Sequence, residues 1–337
     1  MDSLSDYCYH LPEELIAQQP LEDRSSSRLL WLHRDSGDVT HHHFADLPAL
    51  LKAGDLLVVN TTRVKARRLF GAKSTGGKVE AVLLSQERQG VYRALCRPAA
   101  SIRIGTTIHF DRELEAKVIG LEESGARLFD FGTAPEIEQQ INSVGEVPLP
   151  PYITERLKDE ERYQTVYSSK GFSAAAPTAG LHFTPLMFSV LQQKGIDRAE
   201  VCLDIGIDTF QPIRSERLEE HKMHGETCSV SSETADAVNR AEGRVLAVGT
   251  TVVRTLESMA DREGTIHPGE KVTSLFIQPG YRFRRVGGMI TNFHMPGSTM
   301  LVMISAFAGR EAVLRAYEEA VAEQYRFLSF GDAMLIL

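Results

Sequence analysis

The chain has 337 residues, 42% hydrophobic and 24% charged, with a formal net charge of −8. This is the balance of a globular protein long enough for two domains, and its acidic sign argues against nucleic-acid binding by the whole surface while allowing a local basic patch. Cys8, Cys96, Cys202 and Cys228 are scattered without a C-x-x-C, Met1 to Tyr9 does not read as a signal peptide, and no apolar run approaches the ~20 residues of a membrane helix, so a reducing, cytoplasmic setting is expected.

Residues 1–59 read as mixed α/β, with a short helix over Leu11 to Ala17 and strands over Arg28 to His33 and Asp55 to Asn60. His41-His42-His43 reads as surface, because neighbouring strand residues point to opposite faces and cannot converge on one ion. From Asn60 the composition turns basic: Arg63, Lys65, Arg67, Arg68, Lys73 and Lys78 fall before Val79 with no acidic residue among them. Such a cluster suits a phosphate backbone. The alternative is an edge strand protected by charge. Short strand-like runs follow at Val79 to Leu84, Val91 to Cys96, Thr107 to Phe110, Glu115 to Ile119 and Ala126 to Phe131, the rhythm of a small antiparallel barrel or sandwich. A helix over Glu136 to Val144 and the stiff Val147 to Tyr152 stretch close this region.

Beyond it the α/β pattern returns. Helices are expected over Pro185 to Lys194, Glu233 to Ala241, Thr251 to Ala260, Thr299 to Ala308 and Arg310 to Tyr325, and strands over Arg198 to Asp204, Arg244 to Val248, Val272 to Ile277 and Gly288 to Phe293. The architecture that follows is a discontinuous α/β domain, 1–60 with 151–337, carrying an inserted antiparallel β-barrel at 61–150.

Polar residues gather where strands end. Ala175 to Phe183 is a Pro/Gly loop that brings His182 close to a helix opened by Thr184-Pro185, whose positive end favours a neutral imidazole suited to proton abstraction. Gly249-Thr250-Thr251 joins a buried strand to a helix bearing Arg254 and Glu257, a geometry for holding an anion or carboxylate. Thr291 to Thr299 repeats the theme with Asn292, His294 and Ser298, the last placed to cap a helix. His221, His224 and Glu226 form a further group; on a helix the two imidazoles would share a face, although the spacing is not that of a zinc protease.

Together these segments carry a resemblance. Ala176 to Phe183, Thr209 to Pro212, Glu220-His221 with Met223-His224 and Glu226, Val248 to Thr251 with Arg254 to Glu257, Thr291 to His294 with Pro296, Ser298 and Thr299, Tyr325 to Phe327 and Phe330 to Met334 match in order. With Asn60 to Val64 and Pro148 to Tyr152, the chain closely resembles the S-adenosylmethionine:tRNA ribosyltransferase-isomerase (QueA) family of queuosine biosynthesis. Two departures stand out. The family usually reads Leu-His-Val-Gly-x-Gly-Thr-Phe where this chain has Asp204 for the histidine and Asp208 for the second glycine, and Lys65-Ala66-Arg67 replaces Ile-Pro-Ala.

The resemblance implies a transferase that moves the ribosyl group of S-adenosylmethionine onto a 7-aminomethyl-7-deazaguanine at the tRNA wobble position. Adenine and methionine are released and the ribose is rearranged to an epoxycyclopentane. It assigns proton transfer to His182, His221, His224, Glu226 and His294. Substrate contacts fall to Thr178, Gly180, Gly249, Thr250, Thr251, Arg254, Glu257, Asn292 and Ser298, and tRNA contacts to Asn60, Arg63, Lys65, Arg67, Arg68, Lys73 and Lys78. S-adenosylmethionine is a substrate, so no metal or separate cofactor is expected, nor a membrane partner, and the protein should act as a monomer. Two rival readings are a metal-dependent hydrolase on His221, His224 and Glu226, and a non-catalytic RNA-binding module using the barrel alone.

Overall fold

The computed structural model describes residues 3–206, 213 and 215–337. The Thr209 to Pro212 motif and Asp208 lie outside the described residues. The chain divides into two compact units, one of residues 1–62, 151–170 and 176–337, the other of 63–150 and 171–175.

In the first unit the strands are β1 (Arg28–Leu32), β2 (Val39–His43) and β3 (Leu56–Asn60), the last preceded by the one-turn helix α1 (Leu47–Leu50). In the barrel region come β4 (Thr62–Val64), β5 (Arg67–Lys73), β6 (Lys78–Arg88), β7 (Val91–Arg97), β8 (Thr107–Phe110), β9 (Glu115–Leu121), β10 (Arg127–Asp130), α2 (Ile137–Val144) and β11 (Lys170–Ser173). The remainder supplies α3 (Pro185–Gln193), β12 (Asp197–Leu203), β13 (Glu226–Val230), α4 (Ser232–Arg240), β14 (Val245–Val248), α5 (Thr250–Met259), β15 (Gly269–Thr273), β16 (Gly288–Asn292), α6 (Thr299–Ala308), α7 (Arg310–Ala322) and β17 (Ala333–Ile336).

Nine strands form one sheet in the order β15-β13-β12-β3-β14-β16-β17-β1-β2. Its centre, β12-β3-β14-β16, is parallel, and the flanking pairs β13/β15 and β1/β2 are antiparallel. The central strands are apolar on both faces, as a doubly covered parallel sheet requires. Leu57, Val59, Leu246, Val248 and Ile290 pack with Phe44, Leu47, Phe183, Met187 and Leu191 from α1, α3 and the turns beside them. From β3 the chain reaches β12 on one side and later returns past β3 to β14 on the other. The carboxyl edge of this central group is therefore a topological switch point, the usual ligand position of α/β sheets.

The second unit is a closed barrel, β10-β7-β6-β5-β8-β9. Leu69, Val79, Ala81, Leu83, Tyr92, Ala94, Ile108, Ala116, Val118 and Phe129 fill it, and Ile137 and Ile141 of α2 join the same core. Closure removes the edge-strand alternative for β5, which is hydrogen-bonded on both sides, to β6 and β8, but not for β4, which carries Arg63 and lies in a two-stranded sheet with β11.

Several elements differ from the pattern the sequence suggests. Only a 3-10 turn, Glu13–Leu15, forms in place of the first helix. The strand near 272 runs over Gly269–Thr273, because its pairing with β13 ends at Thr273. The last helix stops at Ala322 because Gln324 adopts φ +55°, leaving Tyr325 outside it. His221 to Gly225 is not helical, so the shared-face geometry for the two imidazoles does not arise.

Barrel closure also sets a test. Gly90 turns β6 into β7 at φ +70°, and a Cβ there would fall 1.6 Å from the Gly132 carbonyl oxygen. Gly90→Ala should cost the barrel roughly 2 kcal/mol or more, combining left-handed strain with backbone displacement. A urea-unfolding midpoint equal to wild type would show that the β6–β7 turn relaxes freely.

Candidate active site

The carboxyl ends of β12, β3, β14 and β16 place Leu203-Asp204, Asn60 to Thr62, Gly249 to Thr251 and Asn292 to His294 along one edge. Asn60 is fully buried at the centre. Its Nδ2 donates to Leu203 O (3.0 Å) and Thr251 Oγ1 (3.2 Å), and its Oδ1 accepts from the N–H groups of Leu203 (3.0 Å) and Thr62 (3.1 Å). Thr62 in turn donates to Asp204 Oδ1 at 2.5 Å. A fully buried carboxamide with both ends occupied cannot reach a phosphate, so the tRNA assignment of Asn60 is corrected: it binds three segments of the site together.

Gly249 enters α5 at φ +92°, where an L side chain is strained, and its N–H donates to Ile290 O at 2.7 Å. Among the described residues no side chain caps α5. The start of this helix, at Thr250 and Thr251, therefore retains the unpaired N–H groups and positive potential that suit a carboxylate. The Pro/Gly loop lies against this point, since a Cβ on Gly249 would contact Ala179 at 3.6 Å. Thr178 is half-buried at the start of the 3-10 turn. Gly180 is required sterically: a Cβ there would fall 2.0 Å from the Tyr167 hydroxyl.

His182 is buried, with its ring stacked on Phe44 at 4.9 Å between centroids. Nδ1 lies 2.8 Å from Ser27 Oγ, and Nε2 lies 3.2 Å from Asn292 Nδ2. Asn292 Nδ2 also donates to Leu328 O (3.1 Å), which orients the amide. Nε2 is then the acceptor, and Nδ1 carries the proton toward Ser27. The imidazole pKa is pushed down to about 3 by burial, and then by the nearby guanidiniums of Arg24 and Arg326. Burial and two cations lower the pKa, in place of the helix end that the sequence suggested; that helix is capped by Thr184, whose Oγ1 accepts from Met187 N at 3.1 Å.

His294 is similar in chemistry. Its Nε2 is 2.7 Å from Thr291 Oγ1, its backbone N–H donates to the Tyr317 hydroxyl (3.0 Å), and burial pushes its pKa to about 3. Ser298 caps α6, accepting from Leu301 N at 3.2 Å.

Glu226 and Arg254 are both buried and form a direct ion pair. Glu226 Oε1 also accepts from Gly206 N at 3.0 Å, and Arg254 reaches Thr273 O at 3.4 Å. The free carboxylate partner expected of Arg254, and the ligand or base expected of Glu226, are corrected accordingly: each neutralises the other. Glu257 is likewise an anchor, not a substrate contact. Its two oxygens take the Tyr281 hydroxyl (3.1 Å) and the N–H groups of Arg284 (2.9 Å), Arg285 (3.0 Å) and Val286 (3.0 Å). His221 is half-buried and edge-on to Phe276, with its pKa lowered by partial burial and by His224, which is exposed. Among the described residues no group of three or more His, Cys, Asp or Glu could hold a metal.

Sequence reasoning missed Ser27, Arg24, Arg326 and Tyr317. They approach the histidines from elements far along the chain; Ser27 is separated from His182 by 155 residues. Arg326 lies within the Tyr325 to Phe327 motif, and no local pattern marks the other three.

The chain matches the family model described as queuosine biosynthesis protein over residues 4–336. It belongs to the queuosine biosynthesis protein family. A protein of Carboxydothermus hydrogenoformans named S-adenosylmethionine:tRNA ribosyltransferase-isomerase is 51% identical over 99% of each chain, and one of the same name from Moorella thermoacetica is 49% identical over 99% of each. The crystal structure of an S-adenosylmethionine tRNA ribosyltransferase from Thermotoga maritima covers 99% of this chain and 100% of its own, at 36% identity and a TM-score of 0.57. The mixed α/β architecture with a closed antiparallel barrel is thus the fold of this family member.

The two buried histidines give the queuosine-family fold a pH signature. Each has a folded pKa of about 3 against an ordinary value near 6.5, so the unfolded state binds more protons between those values. Their contribution is complete above about pH 6.5 and is lost as pH falls toward 3, at up to roughly 3 kcal/mol per pH unit for the pair. His182→Gln should remove about half of that slope in urea unfolding between pH 4 and 6. An unchanged slope would mean that the ring gains solvent in the native state.

Proposed function

We propose that the protein transfers the ribosyl group of S-adenosylmethionine to a 7-aminomethyl-7-deazaguanine at the tRNA wobble position and rearranges it to the epoxycyclopentane, releasing adenine and methionine. The observation that carries this reading is the convergence, on one carboxyl edge, of the uncapped start of α5, the His182–Asn292 pair and the Asn60-bound strand ends, in a chain 51% identical to a protein named for this activity.

The residues fit the steps. The methionine carboxylate finds its counter-charge at the start of α5, at Thr250 and Thr251, since Arg254 is neutralised by Glu226. A base must take a proton beside the sulfonium, and an acid must help adenine leave. His182 and His294 are held neutral, and at His182 both ring nitrogens are occupied; they suit orienting and accepting roles. His221, only half-buried, and His224, exposed, can exchange protons with solvent and suit proton transfer. Asp204 occupies the position where the family pattern carries histidine; held by Thr62, it supplies negative charge to this edge in place of an imidazole.

The tRNA falls to the barrel unit. Lys65 and Lys78 are exposed and Lys73 is half-buried, whereas Arg68 is paired with Glu80 at 2.7 Å and Arg67 donates to Asn142 at 2.9 Å. The lysines therefore contribute most of the phosphate attraction, with Arg63, Arg67 and Arg68 more constrained. Phe70, 53% exposed beside Arg68, offers a ring to an unstacked base.

The decisive experiment is release of adenine from S-adenosylmethionine, dependent on tRNA bearing the deazaguanine precursor. Release without that tRNA, or none with it, overturns the reading. Exhaustive chelation should leave turnover unchanged once tRNA folding is controlled. Replacing Lys65, Lys73 and Lys78 by alanine should flatten the salt dependence of tRNA binding by roughly 0.7–0.9 units of slope for each phosphate no longer neutralised, and leave S-adenosylmethionine affinity intact. An unaltered slope would place the phosphate track elsewhere. His221→Ala should reduce turnover by about 10²–10⁴-fold without loss of thermal stability; near-normal turnover would remove it from proton transfer.

A further inference from the structure

A second concavity lies at the opposite edge of the sheet. β1 is antiparallel to β16 through β17, so the turn at 33–37 that follows β1 lies level with the beginning of β16, away from the carboxyl edge. Between this turn and the corner joining α6 to α7 is a cavity of about 590 Å³, within the usual range for a small-molecule site. Three guanidiniums line it, from Arg34, Arg310 and Arg315, against two exposed carboxylates, Asp35 and Glu311.

The charges are unequally engaged. Arg310 lies 3.4 Å from Asp6. Arg34 is held over the Phe307 ring at 4.6 Å, a cation–π contact that fixes it without neutralising it. Neither Arg34 nor Arg315 has an ion-pair partner among the described residues. The turn makes room for Arg315 by using glycine, since a Cβ on Gly37 would come within 3.1 Å of its Nη2. Gly309 enters α7 at φ +87°, and among the described residues no side chain caps this 13-residue helix, so its positive end also opens toward the corner.

Two guanidinium forks without ion-pair partners and a helix start without a side-chain cap among the described residues line one cavity. They share one chemical complement, a tetrahedral oxyanion.

We propose that the cavity between the β1–β2 turn and the α6–α7 corner binds a phosphate group, separate from the transfer site. The phosphate belongs either to the RNA backbone, in which case the cavity extends the tRNA footprint and rests on the function proposed above, or to a free phosphorylated small molecule, in which case it does not.

The test compares wild type with the Arg34→Gln/Arg315→Gln variant, whose two substitutions alter exposed side chains outside the transfer site. Inorganic pyrophosphate is titrated by calorimetry, and tRNA binding is followed against salt with and without pyrophosphate. Saturating turnover and thermal unfolding of the variant should match wild type, which establishes that it is folded. Pyrophosphate binding by wild type that weakens at least tenfold in the variant, with tRNA affinity indifferent to pyrophosphate, identifies a free phosphate ligand. A salt slope lower by about 1.8 in the variant, with pyrophosphate competing against tRNA in wild type only, identifies the RNA backbone. No pyrophosphate binding together with an unchanged salt slope overturns the proposal. If wild type turns over no tRNA, the function above fails, and the pyrophosphate arm still decides this one.

Discussion

The site depends on one buried carboxamide. Asn60 ends the central strand, and its four hydrogen bonds hold the end of β12, the first turn of α5 and the onward chain at Thr62. Each bond is worth only about 1 kcal/mol net, but a buried amide deprived of partners costs more than it gains when paired. The three segments therefore keep their mutual geometry as a set. A charged side chain there would meet the desolvation penalty of the sheet interior, and a shorter one would leave the Leu203 and Thr62 N–H groups unsatisfied.

Around this anchor the polar groups divide between holding and reacting, and burial decides which is which. Glu257 accepts from four donors and fixes the 281–286 segment; Glu226 and Arg254 cancel each other inside the sheet. Asp332, with its pKa raised by burial, accepts the N–H groups of Arg28 and Arg326 and ties the last strand to the first. These groups resemble catalytic residues in sequence because acids and bases of the same type do both jobs. Only how fully each is partnered separates them. His182 and His294 stand between the two classes: neutral, buried and oriented, they shape the edge where a sulfonium and a departing base would need fixed acceptors.

Much of this was legible in the residues. Apolar runs such as Leu56 to Val59 and Val245 to Val248 could only be buried strands, and the five runs from Val79 to Phe131 have the rhythm the barrel realises. Thr184 and Ser298 declared their caps because an N-cap is an interaction over three residues. The order of motifs from Ala176 to Met334 pointed to the family, since several short patterns in sequence are far more restrictive than one. β17 and β13 were not legible: both form because neighbouring strands present open edges to them, and neither carries a strong period of its own.

Local chemistry, then, determined the helices, the caps, the barrel rhythm and the family, because each depends on residues within a few positions of one another. The tertiary structure alone decided which polar side chains are already partnered. Ser27 meets His182, Glu226 meets Arg254 and Asn60 meets Thr251 across 155, 28 and 191 residues of chain. No spacing rule reaches that far, because chain distance ceases to constrain spatial distance once the sheet brings its strands together.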